Sequence, residues 1–286
     1  MKKYVLLTSL ILCLILFNLS YLSKSGLLVF NFSNALKINY RNASKHIESF
    51  PGVRSLASFR MEKFMSEDDA LKYSLRIRSQ KGMWAKRNPA MSTLGTASYL
   101  DGYPKEEYIK LSQSSNPFMR EHYQDLLDDV LNYFQERCPH STVKYKENAA
   151  LPGFHIFHCN KLFSMKVASV HKDLQFQRLT FSDDAEIDSD YTMSFTLALE
   201  LPESGAGLYT FDSPDLGLFH YVIPPPLVHS FSKKTRIDYK VGWMVVHNGM
   251  TFHMIAPCKE DKSKKRITLQ GHGVYEKNEN TWWLYW

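Results

Sequence analysis

The chain has 286 residues, with 35 Lys and Arg against 29 Asp and Glu and a formal net charge of +6. Hydrophobic residues make up 44% and charged residues 22%, the ordinary balance of a globular protein. The basic residues are scattered, apart from Lys233-Lys234 and the knot Lys262-Ser-Lys-Lys-Arg266. With no zinc-finger spacing, helix-turn-helix signature or aromatic RNA-binding motif, this charge describes a solvated surface and not a nucleic-acid partner.

In chain order, Lys2 and Lys3 precede an uncharged run from Tyr4 to Leu22, about long enough to cross a hydrocarbon core as a helix. Residues 1–23 are therefore expected to be a membrane anchor, with a cleaved signal segment as the alternative. The two leading lysines favour a single-pass topology with the body on the luminal side. That means the endoplasmic reticulum or Golgi in a eukaryote, or secretion if the leader is removed. Asn31-Phe-Ser33 and Asn42-Ala-Ser44 would then be glycan acceptors. Four cysteines, Cys13, Cys138, Cys159 and Cys258, show no CxxC spacing. A Cys138–Cys159 disulfide and buried free thiols are both open readings.

Residues 24–65 read as a stem. Ser66 followed by Glu67, Asp68 and Asp69 starts a helix, with a capping hydroxyl and acids in the first turn; Leu71, Leu75 and Ile77 supply its apolar positions. Residues 88–104 read as a loop. A stronger helix is expected from about Asn116 to Arg137, with Pro117 near its start. Its stripe of Tyr123, Leu126, Leu127, Val130, Leu131 and Phe134 should face a sheet.

After Cys138 short β-branched and aromatic runs alternate with turns. These are 153–158, 166–170, 191–199, 207–211, 242–246, 251–255 and 266–270. Such texture indicates a mainly β sandwich or barrel. Pro224-Pro-Pro226 cannot occupy a central strand, because proline donates no hydrogen bond. The aromatic end, Thr281 to Trp286, reads as a strand or cap on the sheet.

The chemistry-bearing residues come in two halves. In His171-Lys-Asp173 the imidazole and carboxylate lie two residues apart, so an extended backbone aims both at one point. About eighty residues on, Thr251–Ile255 and Arg266–Gln270 flank a turn at Glu260–Ser263. Folding a hairpin there sets His253 opposite Arg266, on one face with Thr268 and Gln270. Two imidazoles and a carboxylate leave open positions on Fe(II) for a chelating co-substrate and oxygen. A buried arginine gives a permanent, two-pronged partner for a carboxylate. His247 and His272 are rival ligands; His253 is preferred to His247 because Gly249 breaks the strand between them. His155, His158, His220 and His229 read as surface or packing histidines.

On these residues the sequence resembles the Fe(II)/2-oxoglutarate-dependent dioxygenase superfamily over about residues 150–275. The H-x-D…H triad matches His171, Asp173 and His253, and the R-x-S/T motif matches Arg266 and Thr268. The resemblance implies a double-stranded β-helix core, jelly-roll or cupin-like, over residues 140–286, buttressed by helices within 66–137. The oxygenase domain would span 66–286. It further implies metal ligands His171, Asp173 and His253 and a co-substrate site at Arg266 and Thr268. The cofactors would be Fe(II), 2-oxoglutarate and O2, with ascorbate as an optional reductant. The reaction would be hydroxylation of a C–H bond in a protein, glycan or lipid substrate, with release of succinate and CO2. A jelly-roll binding module and a metal cupin without 2-oxoglutarate are the alternatives. Loops 84–104, with Trp84, Tyr99 and Tyr103, and 212–240 are expected to meet the substrate.

Overall fold

The computed structural model describes residues 59–101, 104–164, 170–203, 206–212 and 232–286, all within the unit Glu48–Trp286. The run 4–22, Tyr103, the expected strand 166–170 except Val170, His220, His229 and Pro224–Pro226 lie outside the described residues. Among the described residues, no helix is long and apolar enough to cross a membrane.

In chain order the elements are β1 (Phe59–Lys63), α1 (Glu67–Ser79), β2 (Ala85–Asn88), β3 (Met91–Leu94), α2 (Ser98–Asp101), α3 (Lys105–Arg137), β4 (Thr142–Tyr145), β5 (Gly153–His158), α4 (Lys161–Ser164), β6 (Ile187–Glu200), β7 (Leu208–Asp212), β8 (Lys233–Ile237), β9 (Trp243–Asn248), β10 (Phe252–Ile255), β11 (Lys265–Glu276) and β12 (Thr281–Tyr285). The fold is mainly β. The main sheet runs β1-β9-β6-β11-β5-β3-β2, with β12 and β4 added beyond β11; a second sheet runs β10-β7-β8. Pairing is antiparallel except for β12 with β4.

Several expectations change. The end of the expected stem is strand β1, paired with β9 from Phe59↔His247 to Lys63↔Trp243. Ser66 does cap α1, accepting from the Asp69 amide at 3.1 Å. The buried face of α1 is Ala70, Tyr73, Ser74 and Ile77, however, and Leu71 and Leu75 are more than half exposed. The expected loop 88–104 contains β3 and α2. Helix α3 starts at Lys105 and runs through Pro117, leaving helical geometry at Tyr123. Tertiary contacts hold its early turns: the Tyr108 hydroxyl donates to the Trp286 carbonyl and accepts from the Ala150 amide, both at 2.9 Å. The stripe on α3 meets the sheet as expected, with Phe134 on Phe195 and Tyr123 on Phe154 at ring separations of 4.9 and 4.7 Å.

The expected hairpin between 251–255 and 266–270 does not form. β11 is a central strand, flanked by β6 on one side and by β5 and then β12 on the other. It has no free edge for β10, which pairs with β7 in the second sheet. The segment between them crosses from one sheet to the other. Cys138, Cys159 and Cys258 are buried free thiols, and the Cys159 thiol hydrogen-bonds with that of Cys258. The C-terminal strand is buried throughout, and Trp286 is fully enclosed.

Candidate metal centre

Strand alternation gives each face of the main sheet its own character. Phe154 and Phe195 turn toward α3. His155, Ser194, Thr196, His247, Gln270 and His272 turn inward and line a cavity of about 580 Å³, whose other wall includes Leu208, His253 and Ile255 of the second sheet.

His171-Lys-Asp173 is not in a regular strand. His171 instead forms an isolated antiparallel bridge with His253, each amide donating to the other's carbonyl at 3.0 and 2.9 Å. Directly paired residues project to the same side, and the two rings lie 4.4 Å apart. The Asp173 amide donates to the Gly249 carbonyl at 2.7 Å, which fixes the third residue of the tripeptide. Glycine allows a close approach at that turn. A Cβ on Gly249 would stand 3.0 Å from Thr192 Oγ1 and 3.1 Å from the Asp173 carbonyl oxygen.

One donor atom from each of His171, Asp173 and His253 lies within 4.8 Å of the others. Asp173 and His253 are buried, whereas the His171 side chain is 42% exposed, so the cluster opens on one side only. His253 Nδ1 is 2.9 Å from the Thr251 carbonyl, an acceptor only, so Nδ1 carries the hydrogen and Nε2 a lone pair. Burial pushes the His253 pKa down to about 3, despite the pull of Asp173, so the ring is neutral. Its bare Nε2 then faces Asp173 Oδ2 at 3.3 Å. Two acceptors that close call for a cation between them. Asp173 itself is held well below the carboxylate range: burial raises it, and the imidazoles of His253, His272, His171 and His247 outweigh that. This donor set, two imidazoles and one carboxylate, fits a divalent transition metal.

Arg266, Thr268, Gln270 and His272 alternate along one face of β11. Arg266 is completely buried; its Nε donates to the Ala206 carbonyl at 3.0 Å, while Nη1 and Nη2 make no hydrogen bond of good geometry, with the Tyr239 hydroxyl their one side-chain neighbour of hydrogen-bonding type. Its guanidinium lies 5.3 Å from the ring centres of both Phe157 and Tyr239. Burial lowers its pKa from the ordinary arginine value. Thr268 Oγ1 is also buried without a partner. A buried, half-satisfied guanidinium is costly unless an anion completes it. The cross-strand partners of Arg266 and Thr268, Phe157 and His155, line the cavity.

His171, Asp173 and His253 line the cavity, whereas Arg266 and Thr268 are buried on β11 beside the lining residues Phe157 and His155, and His253 belongs to the other sheet. The rival histidines are close too. The His247 ring lies 4.5 Å from that of His253, tilted by 59°, and His272 Nδ1 lies 3.7 Å from Asp173 Oδ2. His155, read as a packing histidine, lines the cavity and hydrogen-bonds Tyr99. Burial lowers the His155 pKa well below the usual histidine value. Sequence reasoning missed Ser194 and Gln175, which donate to Asp173 Oδ2 and Oδ1. For His272 a signal existed, since it continues the alternation of Arg266, Thr268 and Gln270 by one step.

No family model and no curated protein sequence matches the chain. Solved structures with a similar path include an N-substituted L-amino acid dioxygenase in complex with alpha-ketoglutarate from Burkholderia ambifaria. It is 8% identical, over 79% of this chain and 85% of that one, with a TM-score of 0.47. HygX from Streptomyces hygroscopicus, with nickel and 2-oxoglutarate bound, is 12% identical over 75% and 82%, with a TM-score of 0.43. A prolyl hydroxylase in complex with a peptide fragment, from Trichoplax adhaerens, is 11% identical over 78% and 85%, with a TM-score of 0.39. None of these three reaches a TM-score of 0.5, and the chemistry of the site rests on its side chains.

Proposed function

We propose that the chain is a non-haem Fe(II)- and 2-oxoglutarate-dependent dioxygenase of the double-stranded β-helix fold, which hydroxylates a C–H bond and releases succinate and CO2. His171, Asp173 and His253 would hold the iron, and Arg266 with Thr268 the distal carboxylate of 2-oxoglutarate. The observation that carries the reading is the fully buried Arg266, with two nitrogens making no hydrogen bond of good geometry, on the same strand face as His272, which approaches Asp173. A metal cupin that does not use 2-oxoglutarate has no need of that guanidinium.

When bound, iron and 2-oxoglutarate supply the oxygen activation and the two electrons of the reaction. The chain's own part is binding and orientation. The Thr251 carbonyl sets the His253 tautomer so that Nε2 is available. Two sheets enclose the acid partner and exclude water from it. The exposed side of His171 leaves the approach for substrate.

The same proposal has residues 4–22 anchor the body on the luminal side of a membrane, with a protein, glycan or lipid as substrate. Its support is the apolar run behind Lys2 and Lys3.

The test is thermal unfolding of the Mn(II)-loaded protein with and without 2-oxoglutarate. A rise in Tm with 2-oxoglutarate, lost in Arg266→Ala, is expected; no rise in the wild-type protein would overturn the co-substrate assignment. Succinate release against peptide and glycan pools, with ascorbate present to keep the iron reduced, then identifies the substrate class.

A further inference from the structure

The carboxylate of Asp173 is surrounded by more than two ligand imidazoles. Pairing of β9, β6 and β11 sets His247, Ser194 and His272 in one row across the main sheet. Within that row Ser194 Oγ lies 2.5 Å from Asp173 Oδ2 and 3.2 Å from His272 Nδ1. A carboxylate that ligates a metal can only accept hydrogen bonds. Ser194 must therefore give its one hydrogen to Asp173. Toward His272 the hydroxyl can then only accept, so His272 Nδ1 carries the hydrogen. The relay runs one way, from His272 through Ser194 to Asp173. On the other oxygen, Gln175 Nε2 donates to Oδ1 at 3.0 Å.

We infer that Ser194 and His272 are positioning residues that, with Gln175, fix the plane of the Asp173 carboxylate so that it engages the metal through one oxygen. The inference rests on the metal reading above. A carboxylate free to rotate can chelate a cation with both oxygens. It would then take a position that the 2-oxo acid or oxygen needs. Hydrogen bonds to both oxygens resist that rotation, and the row across three strands gives them a rigid base.

The experiment is Co(II) titration of the full chain followed by visible absorption. It compares the wild-type protein with Ser194→Ala, Ser194→Thr, His272→Leu and His272→Asn. Asparagine can return a donor near Nδ1, and threonine returns the hydroxyl. Ser194→Ala and His272→Leu should weaken Co(II) binding roughly 10- to 100-fold and change the band shape, while Ser194→Thr and His272→Asn stay near the wild type. Metal-free thermal unfolding checks that each variant folds. Should Ser194→Ala fail to fold, the leucine and asparagine variants of His272 carry the same comparison. Wild-type affinity and spectrum in Ser194→Ala and His272→Leu overturn the inference and leave the triad standing. Equal weakening in His272→Asn and His272→Leu overturns the Nδ1–H relay. A wild-type protein that binds no Co(II) removes the metal reading itself, and this inference with it.

Discussion

His171 and His253 exchange both backbone hydrogen bonds, at 3.0 and 2.9 Å, and are each other's bridge partners. Residues 82 positions apart in the chain are thereby locked face to face by the main chain itself, before any metal binds. Asp173, tied through its amide to Gly249, completes a site whose backbone is already set.

Preorganisation of this kind makes Asp173 the decisive charge. Asp173→Ala should abolish 2-oxoglutarate turnover and the metal-dependent rise in Tm, while leaving metal-free secondary structure intact by circular dichroism. Turnover at the wild-type rate would refute the metal assignment.

Arg266 allows a prediction with opposite signs for stability and binding. Replacing a buried, incompletely paired charge with an apolar side chain of similar size is often neutral or stabilising. Arg266→Met should therefore unfold at or above the wild-type Tm without ligand, yet lose the increment from 2-oxoglutarate. Affinity for 2-oxoglutarate should fall roughly 10- to 100-fold, the equivalent of lost charged hydrogen bonds. A large loss of ligand-free stability, measured by denaturant unfolding, would mean the guanidinium is structural.

Away from the cavity, Glu200 joins the sheet to α1 by accepting from Arg78 Nε at 2.8 Å and from the Ser74 hydroxyl. Burial raises its carboxyl pKa, but the bonds from Arg78 and Ser74 outweigh this and leave it below 4.5. A folded-state pKa below the unfolded one adds stability above the unfolded value, and that stability is lost as pH falls through the folded value. Glu200→Gln should thus cost about 2 kcal/mol near neutral pH, with the difference from wild type shrinking below pH 4.5. Urea unfolding at pH 7 and at acid pH checks both parts.

Gly153 and Gly82 form a matched pair for testing packing. A Cβ on Gly153 would lie 2.0 Å from the buried Trp286 ring, whereas one on Gly82 meets nothing within 4 Å. Gly153→Ala should destabilise by about 1–3 kcal/mol through overpacking, and Gly82→Ala should not. Equal effects in calorimetry would show that Trp286 moves aside freely.

Much of the site was legible because its residues obey short-range rules. His171 and Asp173 are two apart, and Arg266, Thr268 and Gln270 alternate. The hairpin was not legible. A turn at 260–263 between two strand-like runs looks the same whether the second strand has a free edge or, like β11, has both edges taken. On α1, Leu71/Leu75 and Ala70/Tyr73/Ile77 both fit helical spacing; the choice belongs to the sheet beneath, which buries Ser74 and Ile77. Phe59–Lys63 is five residues, too short to show periodicity, and becomes a strand only because β9 offers it an edge. Ser194 sits in an apolar run with no local mark, and its role appears only when β6 is laid beside β11.

β11 carries Arg266 near its start and His272 further along, on a single extended segment roughly 20 Å long between their Cα atoms. That strand works as a ruler: the interval between Arg266 and His272 is counted in peptide units, not set by a loop. A slip of one residue would turn all four graduations, 266, 268, 270 and 272, to the opposite face at once. Arg266 and His272 therefore cannot drift independently, and a one-residue insertion between them should turn one of the two to the opposite face.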